Sequence, residues 1–469
     1  MSTLWIVVTL ALGGLGVALA APLLPRRAGV LGGATLALFA LTALLALAAY
    51  RENAVIFGSL EAAPLTAVAA LLLSAAGFFV AWGNLVRPET LRGGPGEFYA
   101  FLLWGALGGV LLVGANNLLL FFLGLELSSY ATYVIAAYDR DRRESAEGGI
   151  KYLILGALAS ATLLYGFALV YAGTGSIEFV KIRAALAHGA PLLAELGLAL
   201  ALVGLGFKLA LVPFHAWVPD AYQGARPVGA AFLASAPKIA VGLGLAALLV
   251  KGFAPLSVAG GWILALAVLS FVLGNLWALG QENLKRLLAY STIAHMGYLA
   301  LGLSVGGAFG FAASGYYLLA YLLAGTAAFF ALEAAEAAGV PATLAGWKGL
   351  FRRAPALAVL FALALLSLAG VPGLAGFLAK LYVFAGTAQA GLYGVLVAAV
   401  VTTILGYFYY FRVLAAAFLE APAEETALAT NPAALSLLFV LAALTVLFGV
   451  WPGAAFAALR HAFAVLLGL

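Results

Sequence analysis

The sequence predicts an all-α polytopic membrane protein of about 14 transmembrane helices, with two inverted five-helix repeats that contain broken helices. Three observations predict it. Of the 469 residues, 65% are hydrophobic and only 9% charged, where an average soluble domain has about 25% charged. The apolar residues collect into runs of about 20, the length that crosses a bilayer, and lack the ten-residue alternation of a membrane barrel. Within several runs a lysine sits beside proline or glycine, as in "GFKLALVPFHAWVPDAYQG" at 206–224.

The first three runs, 2–21, 29–50 and 64–85, make an N-terminal three-helix segment over residues 1–96. Residues 1–4 carry no lysine or arginine, and Arg26 and Arg27 follow the first run. That order is the reverse of a secretory signal, so the run is expected to stay as a span. Runs at 97–115, 117–138, 146–172, 192–216 and 225–252 form a first five-helix unit, 97–252. Runs at 255–280, 283–304, 308–333, 355–386 and 388–417 form a second, 253–417, and 433–458 supplies a last helix within 418–469. Between spans six and seven, residues 176–188 fit a short amphipathic surface helix.

Charge sorts the connections. Of 23 basic residues, fourteen follow odd-numbered spans, among them Arg26, Arg27, Arg87, Arg92, Arg140 and Arg286, and five follow even-numbered ones. The positive-inside rule then places both termini on the outer side. Basic residues here report topology rather than nucleic-acid binding. The chain has no cysteine, which excludes disulfides, thiolate zinc sites and iron–sulfur or c-type haem attachment. Four scattered histidines suggest no metal site, and no Gly-rich phosphate loop stands out.

A charge at the centre of a span costs about 2.5–3.5 kcal/mol on insertion scales and usually marks a pathway. Glu126, Lys208, Lys238 and Lys380 lie well inside their runs, as does His295; Lys151 also falls within one. Glu126 and Lys208 at comparable depth would lower each other's cost, and a small movement would change how readily the lysine holds a proton. A static pair that fastens two helices fits the same residues. It fits less well with three deep lysines and only one buried carboxylate to neutralise them. Pro213 removes the N–H that would bond the Leu209 carbonyl, and a freed carbonyl in a membrane needs another partner. Pro237 precedes Lys238, and "LAGVPGLAGFLAKLY" puts Pro372 and three glycines ahead of Lys380. Broken helices around charges are a transporter pattern. His295 can exchange protons near neutral pH; His215 reads as structural or as a relay near the inner interface. Glu126 to Lys208 spans 82 residues and His295 to Lys380 spans 85. A repeat of five spans would start its second copy from the opposite side.

"LGLELSSY", "GFKLALVPFHAWVPDAYQGA", "SAPKIA", "KRLLAYSTIAHMGY" and "GVPGLAGFLAKLY" resemble the antiporter-like subunits of respiratory complex I, the NADH–quinone oxidoreductase. "KYLILGALASATLLYG" and a lysine at 380 are similar to the branch called subunit N. The resemblance implies a bacterial inner-membrane, proton-translocating subunit of an enzyme complex, with Glu126, Lys208, Lys238, His295 and Lys380 as the proton-carrying groups. It also implies no cofactor in this chain. NADH, flavin, iron–sulfur clusters and quinone would belong to partner subunits, and the partners would be other complex I membrane subunits and the bilayer. A subunit of a multi-subunit sodium/proton antiporter shares most of these motifs and is the alternative. A scaffold whose buried charges only hold helices together is a third reading.

Overall fold

A computed structural model describes residues 1–24, 27–86, 94–139, 141–189, 191–254, 256, 258–422 and 425–469. Arg26, Arg87, Arg92 and Arg140, four of the basic residues sorted above, lie outside the described residues.

Helices α1 (Ser2–Ala20) and α2 (Ala28–Ala49) lead into a small hairpin, and α3 (Pro64–Leu85) follows. The hairpin pairs β1 (Ala54–Ile56) antiparallel with β2 (Leu60–Ala62), Val55 facing Glu61. Next come α4 (Pro95–Gly114), α5 (Leu118–Ala136), α6 (Arg143–Thr174) and the short α7 (Phe179–Ala187). Then α8 (Leu192–Leu209), α9 (Trp217–Gly224) and α10 (Pro227–Lys251) complete the first half. The second half holds α11 (Val258–Leu279), α12 (Leu284–Val305), α13 (Gly307–Ala337) and the single turn α14 (Leu350–Arg353). It continues with α15 (Pro355–Ala369), α16 (Ala375–Gln389) and α17 (Tyr393–Leu419). The last helices are α18 (Pro432–Val450) and α19 (Gly453–Leu467). Among the described residues, thirteen helices are long and apolar enough to cross a membrane. Helices α15 and α16, 15 residues each, are too short to cross singly and follow one another across the expected 355–386 span.

Helices α10 and α13 form the centre. Both are apolar all round, the pattern of a helix surrounded by protein, and nearly all of each is buried. Helices α1, α2, α17 and α18 are largely uncovered and form the rim. Small residues let neighbours close in. Gly166 of α6 and Gly197 of α8 are so near that a Cβ on either would meet the other's carbonyl oxygen at 2.5 Å.

Both ends of the chain lie at one face. Tyr50, just past α2, donates to the Ala458 carbonyl of α19 at 2.8 Å, and Glu52 reaches the Thr3 hydroxyl at 2.8 Å. The hairpin, Asn116 and the Lys251–Glu61 ion pair (2.6 Å) belong to the same face.

The predicted breaks occur at two of three places. Helix α8 stops at Leu209, not at 216, with Ala210 left-handed (φ 64). Leu211 N–H reaches back to Gly206 O at 2.8 Å and Ala210 N–H to Phe207 O at 3.0 Å, a Schellman-type ending. The helix therefore ends before Pro213 can act on the Leu209 carbonyl, and the Lys208 carbonyl, left without a backbone donor, takes one from a side chain. Helix α15 ends the same way at Gly370 (φ 94), with Val371 N–H on Leu366 O at 3.0 Å. Helix α10 corrects the third expectation: it runs unbroken through Pro237. Neighbours on every side hold the chain there and override the local cost of proline.

Three further departures are local. Span fourteen ends at Val450, and α19 is a separate helix after Trp451–Pro452. Lys151 is exposed rather than embedded, and bonds Glu147 and Asp220. Helix α13 runs to Ala337, so Glu333 is buried (8% exposed). It pairs with Arg226 at 2.6 Å. Glu126 is only half-buried, so among the described residues the buried carboxylate is Glu333, not Glu126.

Gly376 marks how tightly the second break is built. A Cβ there would sit 1.8 Å from the Ser367 carbonyl oxygen. Gly376→Ala is expected to cost about 1–3 kcal/mol, read as a lower unfolding midpoint in detergent; an unchanged midpoint would show that the break can loosen.

Candidate functional site

The site begins with Glu126 on α5. Its Oε1 accepts a hydrogen bond from the Ser160 hydroxyl of α6 at 2.5 Å. Lys208, in the last turn of α8, is buried and donates to the Tyr133 hydroxyl of α5 at 2.5 Å. The Tyr133 hydroxyl also interacts with Ser160. Among the described residues Glu126 and Lys208 form no salt bridge; Ser160 and Tyr133 stand between them. The Lys208 amine also lies 4.5 Å from the Tyr133 ring centroid.

Lys238 of α10 is fully buried. Its amine donates to the Lys208 carbonyl at 3.0 Å, the acceptor released where α8 ends. Trp217, the first residue of α9, donates from its indole N–H to Phe207 O at 2.9 Å. The Gly206, Phe207 and Lys208 carbonyls of the last α8 turn thus have donors, those of Phe207 and Lys208 from side chains. Beyond Lys238, residues 239–250 (IAVGLGLAALLV) offer no polar side chain before Lys251. That is about 18 Å of dry helix at 1.5 Å per residue.

His295 sits midway along α12 inside a shell of tyrosines. Its Nδ1 is 2.7 Å from the Tyr317 hydroxyl and its Nε2 is 3.1 Å from that of Tyr410. Tyr410 in turn bonds the Ser291 hydroxyl. A cavity of about 10 Å³ adjoins His295, Tyr317, Tyr321, Ser367 and Gly376, the space of a single water. Lys380 of α16 is buried and donates to the Leu368 and Ala369 carbonyls, at 3.0 and 2.6 Å. Those carbonyls end α15, so this amine caps a broken helix as Lys238 does. The Tyr298 ring lies 5.6 Å from it. The Tyr298 hydroxyl is within 3.1 Å of Asn275 Nδ2, Thr402 Oγ1 and Thr403 Oγ1.

The structure brings Glu126, Lys208 and Lys238 into one connected cluster and His295 and Lys380 into a second, with tyrosines in both. His215 lies aside, stacked on Trp277 at 4.7 Å. Reading the sequence missed Tyr133, Ser160, Trp217, Tyr298, Tyr317 and Tyr410. Tyr133 had a signal: seven residues past Glu126, it falls on the same helix face. Ser291 and Tyr298, four before and three after His295, had the same one.

A family model described as "NADH:quinone oxidoreductase/Mrp antiporter, TM" matches residues 115–406, which hold all five candidates. The chain belongs to this NADH:quinone oxidoreductase/Mrp antiporter family. A relative in Ectopseudomonas mendocina, NADH-quinone oxidoreductase subunit N, is 45% identical over 341 residues, 71% of this chain and 68% of that one. Subunit N 2 of Acidobacterium capsulatum is 41% identical over 372 residues, 76% of this chain and 75% of the relative. A chain in the structure of respiratory complex I from Thermus thermophilus with bound Aureothin superposes with a TM-score of 0.82 at 36% identity, covering 97% of this chain and 99% of that one. A chain of the Mrp complex from Dietzia sp. DQ12-45-1b gives 0.89 at 20% identity, over 98% and 97%, a likeness of fold alone.

At the face away from the termini this family member carries an ionic strap. Asp220 of α9 accepts from Lys151 of α6 and from Arg286 of α12, both at 2.8 Å. Burial pushes the Asp220 carboxyl up, but the bonds from Lys151 and Arg286 outweigh it and hold it below the usual carboxylate range. A depressed carboxylate adds stability above its unfolded pKa and loses it as pH falls through the folded value. Asp220→Asn is therefore expected to lower stability by about 1 kcal/mol equally at pH 8 and pH 5, in thermal unfolding of the purified protein. A difference that vanishes by pH 6 would exclude the strap as its source.

Proposed function

We propose that this chain is a proton-translocating membrane subunit of NADH–quinone oxidoreductase. Quinone chemistry in other subunits drives proton transfer along Glu126, Lys208, Lys238, His295 and Lys380. One observation carries the reading. Three lysine amines are buried within the protein, each bonded to a hydroxyl or to the carbonyls of an ended helix. None faces lipid. A scaffold needs no such arrangement, because apolar side chains hold helices together at lower desolvation cost.

The chain contributes proton groups and no redox centre; NADH, flavin, clusters and quinone sit in partner subunits, which include other antiporter-like subunits. Relatives with the higher identities carry the oxidoreductase name, which favours this reading over a sodium/proton antiporter. The protein spans the bacterial inner membrane with both termini outside. Two halves, 97–252 and 253–417, each carry one broken helix whose end is capped by a lysine, which supports the inverted five-helix repeat.

Protons enter from the inner side toward Lys208 and Lys238. The dry stretch of α10 beyond Lys238 closes the direct way out, so the charge passes sideways to His295 and leaves by Lys380 and Tyr298. Lys208 is coupled to Glu126 through Tyr133 and Ser160 rather than by contact. Rotation of one hydroxyl changes that coupling, and a change of a few kcal/mol is enough to oppose a membrane potential of about 2.3 kcal/mol per charge per 100 mV. In the assembled complex in vesicles, Glu126→Gln and Lys208→Ala are each expected to cut proton translocation by about tenfold or more with assembly intact. Tyr133→Phe, which keeps the ring and loses the hydroxyl, should give a smaller loss. Full translocation in Glu126→Gln would contradict this scheme, and full translocation in Lys208→Ala would favour the scaffold.

A further inference from the structure

The three deep lysines are not equally supplied with partners. Lys208 has the Tyr133 hydroxyl and, behind it, the Glu126 carboxylate. Lys380 has two carbonyls. Lys238 has one carbonyl, and the charged group whose field reaches it is another cation, Lys208. Its one other partner among the described residues is the indole of Trp217, whose ring centroid lies 4.7 Å from the amine.

Trp217 is held from three directions. It is fully buried. Its N–H is bound to Phe207 O, one residue before the carbonyl that Lys238 uses. Tyr152 stacks on it at 4.0 Å with the planes 8° apart, which leaves the opposite face for the amine. The negative face of an aromatic ring attracts a cation, most strongly for tryptophan and in a desolvated site. An amine bonded to a single neutral carbonyl beside a second lysine gains its remaining attraction from that face.

We infer that Trp217 is a positioning residue for proton transfer, its indole face standing in for the counter-ion that Lys238 lacks and holding the charged amine on the Lys208 carbonyl. The inference rests on the proton-transfer reading above. It also ties α9 to the transfer. The helix that follows the break carries the ring on which Lys238 depends, so a shift of α9 changes the charge Lys238 can hold.

Fluorination weakens the negative face of an indole and leaves its shape and N–H nearly unchanged. Mono-, di- and trifluorotryptophan are placed at position 217 by site-directed incorporation, and the assembled complex is reconstituted in vesicles beside Glu126→Gln. Proton translocation is expected to fall with each added fluorine, to about one tenth with three, while NADH oxidation by a soluble acceptor stays constant. A purely structural role for Trp217 would not respond to fluorine. Trp217→Phe, which keeps a face and loses the N–H, should retain more translocation than Trp217→Leu. If Glu126→Gln abolishes translocation and the fluorine series is flat, the role of Trp217 is overturned and the proton pathway stands. If both leave translocation untouched, the pathway falls and Trp217 with it.

Discussion

Inside a bilayer no backbone carbonyl can be left to water. This protein meets that constraint at its two helix breaks with the side chains that would otherwise be hardest to place. The end of α8 gives up the Lys208 carbonyl and Lys238 takes it. The end of α15 gives up the Leu368 and Ala369 carbonyls and Lys380 takes both. An unpaired carbonyl and an unpaired amine each carry a desolvation penalty of several kcal/mol. Together they cancel much of it. The breaks and the lysines are therefore one device, and each explains the presence of the other.

The second level of organisation is the hydroxyl shell. Tyr133 and Ser160 separate Glu126 from Lys208, and Tyr317 and Tyr410 hold both nitrogens of His295. Hydroxyls donate and accept with equal ease, so such a shell can follow a change of charge by turning O–H bonds, without moving a helix. A direct ion pair could not do that; it would have to be pulled apart.

Much of this was legible in the chain. Most span limits fell within a few residues of the helices because the apolar runs are long and bounded by turn residues; spans seven and fourteen ended seven and eight residues early, at Leu209 and Val450. The breaks near Lys208 and Lys380 were legible because proline and glycine flag them locally, Pro213 in the first and Gly370 with Gly376 in the second, though α8 turns at Ala210, before its proline. The broken helix expected at Pro237 was not there, since packing around α10 is invisible in sequence. The partners of the charges were the hardest to foresee. Tyr133 and Lys208 are 75 residues apart, and buried serines and threonines in helices commonly bond their own backbone, as Ser129 and Thr292 do. Nothing in composition separates Ser160 from these. The hairpin escaped because three-residue strands have no period to detect, and the burial of Glu333 because α13 runs past the expected end.

The apolar length of α10 between Lys238 and Lys251 has a consequence for energy storage. A pump that builds a gradient works against its own product, and any polar foothold leading straight through would short the gradient out. Twelve residues without a hydroxyl, amide or charge act there as an electrical insulator. On the proposed route a proton held at Lys238 would have to pass to another helix, because α10 itself offers no polar side chain between Lys238 and Lys251.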